Sequence, residues 1–367
     1  MRWPDYENGI LNIVCSLQKH LGLPSRHGSL PLCDAVLEKC PKNILFLVFD
    51  GLGARALKRH LPPESFLRRH TAAEISSVFP PTTTAAMTAL YSGLSPAEHA
   101  WLGWSLYFEE IGAPVDIFPN TLTDVPDFKQ AADYHLASRF MPYKNAFTQM
   151  TEAGVEAHEI SAFGDCHVES LDEMFDALKD YCSKDGKKVL MAYWHEPDHT
   201  MHETGCGSEK VRAIVADIDA RVERFCEGLA DAAVFVTADH GHKDVRYYTL
   251  TDYPDLLAML YRPIAIEARA AAFFVRPEYL NAFPDAFRAH FGDAFLLLSK
   301  KEVTERELFG PGKPHPRFEG FLGEYLSVAT AEYAIRQSEL SPSFPSAHAG
   351  LTDEEMLVPL VIVEKEK

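Results

Sequence analysis

Apolar residues fall along the chain in two kinds of run. NILFLVFDG at 43–51, KVLMAYW at 188–194 and AAVFVTA at 232–238 are short and nearly continuous. Runs of that length, bounded by polar or turn-forming residues, read as strands buried on both faces. LDEMFDALKDYC at 171–182 and EKVRAIVADIDARVERFCEGLA at 209–230 instead space their apolar residues three and four apart. In the second, Val211, Ile214, Val215, Ile218, Val222 and Phe225 form one helical stripe. Buried strands alternating with amphipathic helices predict an α/β fold: a mostly parallel central sheet with helices on both faces. MLVPLVIVEK at 356–365 supplies a last strand. The stretch 246–330 breaks this rhythm with two short apolar runs, AAFFV and FLLLS, several prolines and the segment GPGKPHP. It is expected to form an inserted cap subdomain, with residues 1–245 and 331–367 as the catalytic core. The segment EYLSVATAEYAI, at 324–335, reads as a helix leading back into that core.

Composition narrows the function. Hydrophobic residues make up 47% of the 367, enough for a substantial core, and the formal net charge is −18. A surface this acidic repels a phosphate backbone, and no run of Lys and Arg offsets it, so no polynucleotide binding is expected. A small anionic substrate still binds if cations reverse the field inside a pocket. Seven cysteines without a CxxC pair argue against a disulfide framework. With neither a signal-like N-terminal run nor an apolar stretch long enough for a membrane span, the expectation is a cytoplasmic protein without membrane contact.

The three strongest strand candidates each run into a carboxylate: Asp50, then Asp198 just past HEP, then Asp239 with His240. In open α/β sheets the site lies beyond the carboxyl ends of the strands. Three carboxylates delivered there repel one another unless cations lie between them, so the pattern points to a site for more than one divalent ion. PDHTMH sets Asp198 and His202 four apart, on one side of a helix if the loop turns into one. Carboxylate oxygen with imidazole nitrogen suits Zn2+, with Mn2+ the alternative. Upstream, Pro80-Pro81 precedes Thr82-Thr83-Thr84 and the helical AAMTAL. A hydroxyl there stands at a helix N-terminus, where free N–H groups favour anions; activated by a cation, it is a nucleophile candidate. The spacing of His195, His199 and His242 demands no role beyond orienting ligands, and Trp101, Trp104, Tyr107 and Phe108 read as packing.

FLVFDGLGARAL, VFPPTTTAAMTALYSGLSPAEHAW, PDHTMHETG, VTADHGH and HAGLTDEEMLVPLVI, spread in order over residues 46–362, resemble the type I phosphodiesterase/nucleotide pyrophosphatase branch of the alkaline phosphatase superfamily. The resemblance implies an alkaline phosphatase-like core and two divalent metal ions. One is implied on Asp198, His202 and His348, the other on Asp50, Asp239 and His240 beside Thr83 Oγ. It selects Thr83 among the three threonines and supplies His348, which spacing alone leaves as a loop histidine. The implied reaction is cleavage of a small phosphodiester or nucleotide pyrophosphate through a phosphothreonine intermediate. A phosphomonoesterase, a phosphonate hydrolase of the same superfamily, and a metal-binding sensor that has lost catalysis stay open. The family's phosphate-binding asparagine falls near Trp104, and its Phe-Pro after the nucleophile is here Thr84-Ala85.

Overall fold

The computed structural model describes residues 1–366. Its centre is a seven-stranded sheet in the order Thr71–Ser76, Leu357–Lys365, Ala232–Thr237, Asn43–Phe49, Lys188–Trp194, Glu156–Ser161 and Cys166–His167. The four pairings among the last five of these strands are parallel; Leu357–Lys365 runs antiparallel to both its neighbours. The three apolar runs are the three middle strands, almost wholly buried. The helical stripes form Leu171–Ser183 and Glu209–Glu227. Asn43 lies level with both Lys188 and Ala232, so the three strands end together and their following loops share one edge.

A second sheet of seven strands is antiparallel throughout, in the order Phe295–Ser299, Tyr325–Ala329, Ala270–Phe273, Ala265–Glu267, Ser105–Phe108, Ala113–Asp116 and Thr121–Leu122. The stretch 246–330 supplies the first four of these strands, and the segment 105–122, upstream of it, supplies the other three. The segment 324–335 is not a helix: it forms the strand Tyr325–Ala329, a turn, and the strand Tyr333–Arg336. Leu326 and Val328 face one hydrophobic cluster and Ala329 another, so the strand is covered on both sides and shows no clean alternation. Pairing with Ala270–Phe273 and Phe295–Ser299 decides its conformation against its Ala- and Glu-containing composition.

Arg269 and Glu355 join the two sheets. Both side chains are fully buried, and the guanidinium is forked onto the carboxylate, Nε to Oε1 at 2.6 Å and Nη2 to Oε2 at 2.7 Å. Arg269 also donates to the carbonyls of Ala331 and Tyr333, while Glu355 accepts from the Gly350 amide and the Thr352 hydroxyl. A buried pair with its remaining hydrogen bonds satisfied tolerates loss of neither partner. Arg269→Ala should therefore cost about 3–5 kcal/mol of unfolding free energy, because Glu355 stays buried and unpaired. Removing the solvent-exposed Arg69–Glu223 pair by Arg69→Ala should cost under about 1 kcal/mol. Urea unfolding followed by circular dichroism checks both.

Candidate metal centre and active site

Every residue expected at the site arrives at the shared edge of the central sheet. Asp50 follows the strand Asn43–Phe49 and is 2% exposed. Asp198 opens the helix Asp198–Thr204, whose first turn brings His202 round to the same side, and the Asp198 amide is tied to the Asp50 carbonyl at 3.0 Å. Asp239 and His240 follow the strand Ala232–Thr237 and are fully buried. The loop holding them is fixed by packing: a Cβ on Gly241 would meet the Glu354 carbonyl at 2.0 Å, and the Gly241 amide bonds the Glu355 carbonyl. His348 comes from the loop after the short strand Ser346–Ala347, and its ring stacks on His240 at 4.0 Å.

Two groups of side chains come within mutual metal-binding reach: Asp198, His202, His242 and His348, and Asp50, Asp198 and His240. Asp198 belongs to both. The Nε2 atoms of His242, His202 and His348 lie 2.5, 3.5 and 3.9 Å from its Oδ1. In the second group His240 Nε2 lies 3.4 Å from Asp50 Oδ1 and 3.5 Å from Asp239 Oδ2. Asp239 thus stands beside this group, and its other oxygen, Oδ1, accepts the Gly51 and His240 amides. The resemblance did not include His242. Its sequence signal was visible, two residues past His240, but nothing in that spacing showed that the ring turns toward Asp198.

Among the three threonines the geometry distinguishes one. Thr82 and Thr84 are buried, whereas Thr83 is partly exposed, with Oγ1 3.4 Å from Asp50 Oδ2 and 3.1 Å from His240 Nε2. It is the first residue of the helix Thr83–Ser92, whose opening N–H groups have no partner within the helix. Two supporting residues carried no signal in the sequence. The Tyr193 hydroxyl donates to Asp50 Oδ2 from the end of a neighbouring strand. Ser346 receives two rings: its carbonyl accepts from His202 Nδ1 at 2.9 Å, and its hydroxyl lies 3.1 Å from His242 Nδ1.

The donor set fits divalent cations. Among the described residues, Asp50, Asp198 and Asp239 form ion pairs only with histidines, and no Lys or Arg balances them. Asp50 Oδ1, Asp239 Oδ2 and His348 Nδ1 are buried without a hydrogen-bond partner. Such atoms cost free energy unless something pairs with them. Burial, with Asp239 and Asp198 adding repulsion, pushes the Asp50 carboxyl well above the usual range. Burial opposes ionisation of Asp198 too, but His202, His242 and His348 outweigh it and hold that carboxyl well below. Burial also drives His348 and His202 toward the neutral form, the form that binds metal.

One further carboxyl reaches this region, from the second sheet. Glu267 Oε1 accepts from the Thr82 hydroxyl at 2.6 Å and from the Trp104 amide at 2.7 Å. Burial, with Asp116 and Asp198 nearby, pushes it up to about 7. Trp104, where the family's asparagine was expected, is 44% exposed.

The pattern of the family described as type I phosphodiesterase / nucleotide pyrophosphatase matches residues 44–278. No curated protein matches the sequence. Among solved structures, murine ectonucleotide pyrophosphatase/phosphodiesterase 5 is 16% identical, covering 88% of this chain and 88% of its own, with a TM-score of 0.65. The human protein of that name is 16% identical over 88% of this chain and 90% of its own, with a TM-score of 0.66. Phosphonoacetate hydrolase from Sinorhizobium meliloti 1021, in complex with phosphonoformate, is 15% identical over 89% and 91%, with a TM-score of 0.64. At these identities the likeness is one of fold. No helix among the described residues is long and apolar enough to cross a membrane.

Titrating Zn2+ or Mn2+ into chelator-treated protein should raise its melting temperature; at about a thousand times Kd, linkage adds about 4 kcal/mol. His348→Ala should weaken that gain. A carboxyl raised in the folded state contributes stability that is complete below its unfolded value and lost as pH rises through its folded value. Metal-free Glu267→Gln should therefore gain stability relative to the parent between pH 4.5 and about 7, measured by urea unfolding across that range.

Proposed function

Because the chain belongs to the type I phosphodiesterase/nucleotide pyrophosphatase family of the alkaline phosphatase superfamily, and so to hydrolases acting on phosphate esters, we propose that it cleaves small phosphodiesters with Thr83 as nucleophile. The observation that carries this reading is the convergence of Asp50, Asp198, His202, Asp239, His240 and His348 within reach of one partly exposed hydroxyl. Asp198, His202 and His348, with His242 beside them, would hold one divalent cation; Asp50, Asp239 and His240, with Thr83 Oγ1, would hold the other. Zn2+ suits this set of carboxylate and imidazole donors, with Mn2+ the alternative. When bound, the pair neutralises phosphate charge and favours the ionised forms of the attacking and leaving oxygens.

The chain's own groups do the rest. Asp50 and His240 flank the Thr83 hydroxyl and orient it, and the N–H groups opening its helix would be available to the phosphoryl oxygens. Thr83 Oγ attacks phosphorus and gives up its proton as the Oγ–P bond forms; the bond to the leaving oxygen breaks, and that oxygen takes up the proton by way of solvent and departs as the alcohol. Water then attacks the phosphothreonine, the Oγ–P bond breaks and the hydroxyl is restored. Tyr193 holds Asp50 in place through its hydrogen bond.

Hydrolysis of a phosphonate is the second reading. It is favoured by the likeness to a phosphonoacetate hydrolase and by the expectation that the asparagine of the family's nucleotidases falls near Trp104. A monoesterase, or a sensor that keeps the ligands without turnover, predicts a different outcome of the same assay.

Hydrolysis of bis-p-nitrophenyl phosphate, p-nitrophenyl phosphate, a thymidine phosphodiester and phosphonoacetate by the metal-loaded protein separates these readings. The diester should be turned over fastest. Thr83→Ala should lower that rate by about three orders of magnitude or more, with cation content near wild type. A fully active Thr83→Ala refutes the nucleophile, and a protein inactive on the whole panel refutes the enzyme.

A further inference from the structure

The hairpin that brings Arg269 to Glu355 also carries Glu267, two residues earlier, to the other side of the site. Glu267 ends the strand Ala265–Glu267 of the second sheet. One of its oxygens, Oε1, takes two donors from different segments of the chain. The Thr82 hydroxyl comes from the residue that caps the nucleophile helix, and the Trp104 amide comes from the loop after Trp101. Glu267 forms no ion pair among the described residues, so its carboxyl is held by these two hydrogen bonds rather than by a structural bridge. The backbone pays to place it: Ile266, a β-branched residue, has φ +82°. Such conformations cost roughly 1–3 kcal/mol and persist where the surroundings impose them. The Trp104 loop is pressed onto the same point, since a Cβ on Gly103 would meet the Ile266 carbonyl at 2.6 Å.

We propose that Glu267 is a positioning residue for the nucleophile: its Oε1 clamps the cap of the Thr83 helix to the Trp104 loop and so fixes Thr83 Oγ1 against Asp50 and His240. The proposal rests on Thr83 being the nucleophile. The clamp acts on the residue next to Thr83 and touches no reacting atom. Thr82 offers its hydroxyl to Glu267 rather than to its own helix, whose N-terminus has no side-chain cap. Without the clamp, the first turn of the helix and the Trp104 loop are free to separate. The second sheet thereby acts on catalysis from outside the ligand loops. An oxygen that accepts two hydrogen bonds is reproduced by a glutamine, so the neutral substitution should preserve the clamp and alanine should abolish it.

The test compares metal-loaded wild type, Glu267→Gln, Glu267→Ala, Thr82→Val and the double variant Glu267→Ala/Thr82→Val on bis-p-nitrophenyl phosphate. Displacement of a reacting group by about 1 Å costs up to about a hundredfold, so kcat in Glu267→Ala should fall by about ten- to a hundredfold while KM moves little. Zinc content and melting temperature should stay near wild type, and Glu267→Gln should retain most of the activity. Thr82→Val should lower kcat in the same direction, and the double variant should be no worse than Glu267→Ala, because both remove one interaction. Orthovanadate, a mimic of the five-coordinate phosphorus that Thr83 must approach, is titrated against the same proteins. It should bind Glu267→Ala more weakly and Glu267→Gln as wild type, so the comparison does not depend on the choice of ester. Unchanged kcat and vanadate affinity in Glu267→Ala overturn the clamp, as does a glutamine variant as damaged as the alanine variant. A loss in Glu267→Ala that comes with matching loss of zinc or melting temperature overturns it too. Thr83→Ala runs alongside: if it keeps full activity, the reading of the nucleophile fails, whereas an inert Thr83→Ala beside an unaffected Glu267→Ala removes only the clamp.

Discussion

The ion pair of Arg269 with Glu355 is the constraint on which the arrangement of this molecule rests. Two opposite charges, both fully out of water, are stable only in a forked geometry with every other lone pair and proton satisfied. Meeting that condition recruits the surroundings: the Gly350 amide, the Thr352 hydroxyl and the carbonyls of Ala331 and Tyr333. Gly350 lies two residues past His348, and the Glu355 carbonyl holds Gly241 in the loop of Asp239 and His240. An interaction that is expensive to disturb thus fixes the loops bearing several candidate ligands, while the ligands themselves remain electrostatically strained. The second sheet is joined to the first through the residues that most need rigidity.

Strain of a different kind sits at the shared strand edge. Three carboxylates approach one another with only imidazoles for company, and burial raises the cost of each charge. Hydrogen bonds from Tyr193, Gly51 and the His240 amide relieve part of this, but they leave Asp50 Oδ1 and Asp239 Oδ2 without partners. A protein interior seldom keeps such atoms idle. Cation binding would resolve the conflict and, in the same act, would supply the field that a phosphate ester requires. The acidic surface, with its net charge of −18, would then matter little to a small anionic substrate, because bound cations would set the local sign.

What could be read from the sequence followed the range of the forces involved. The three middle strands were legible because burial on both faces writes itself as a continuous apolar run with sharp ends. Asp50, Asp239 and His240 were legible because they sit at those ends, and Asp198 with His202 because helical spacing puts them on one side. The second sheet was not legible as a sheet. Its strands are two to five residues long, and pairings such as Ile266 with Ser105 join distant segments. The mistaken helix at 324–335 has the same origin, since neighbours from elsewhere in the chain decide its conformation. Tyr193, Ser346 and Glu267 act through partners far away in sequence, and no local spacing rule reports them. His348 came only from resemblance, because a histidine in a loop has no periodicity to betray it.

Asp198 contributes to both ligand groups, and this has a thermodynamic result that neither group has alone. The occupancies of the two positions would therefore not be independent. A cation held by Asp198 on one side would place its charge next to the other group, and raise the cost of bringing in a second. Loading of such a pair would follow a binding isotherm with unequal steps, and singly occupied protein would be a distinct species rather than half of the finished centre. A change at Asp198, which lies within reach of both groups, would be felt at both.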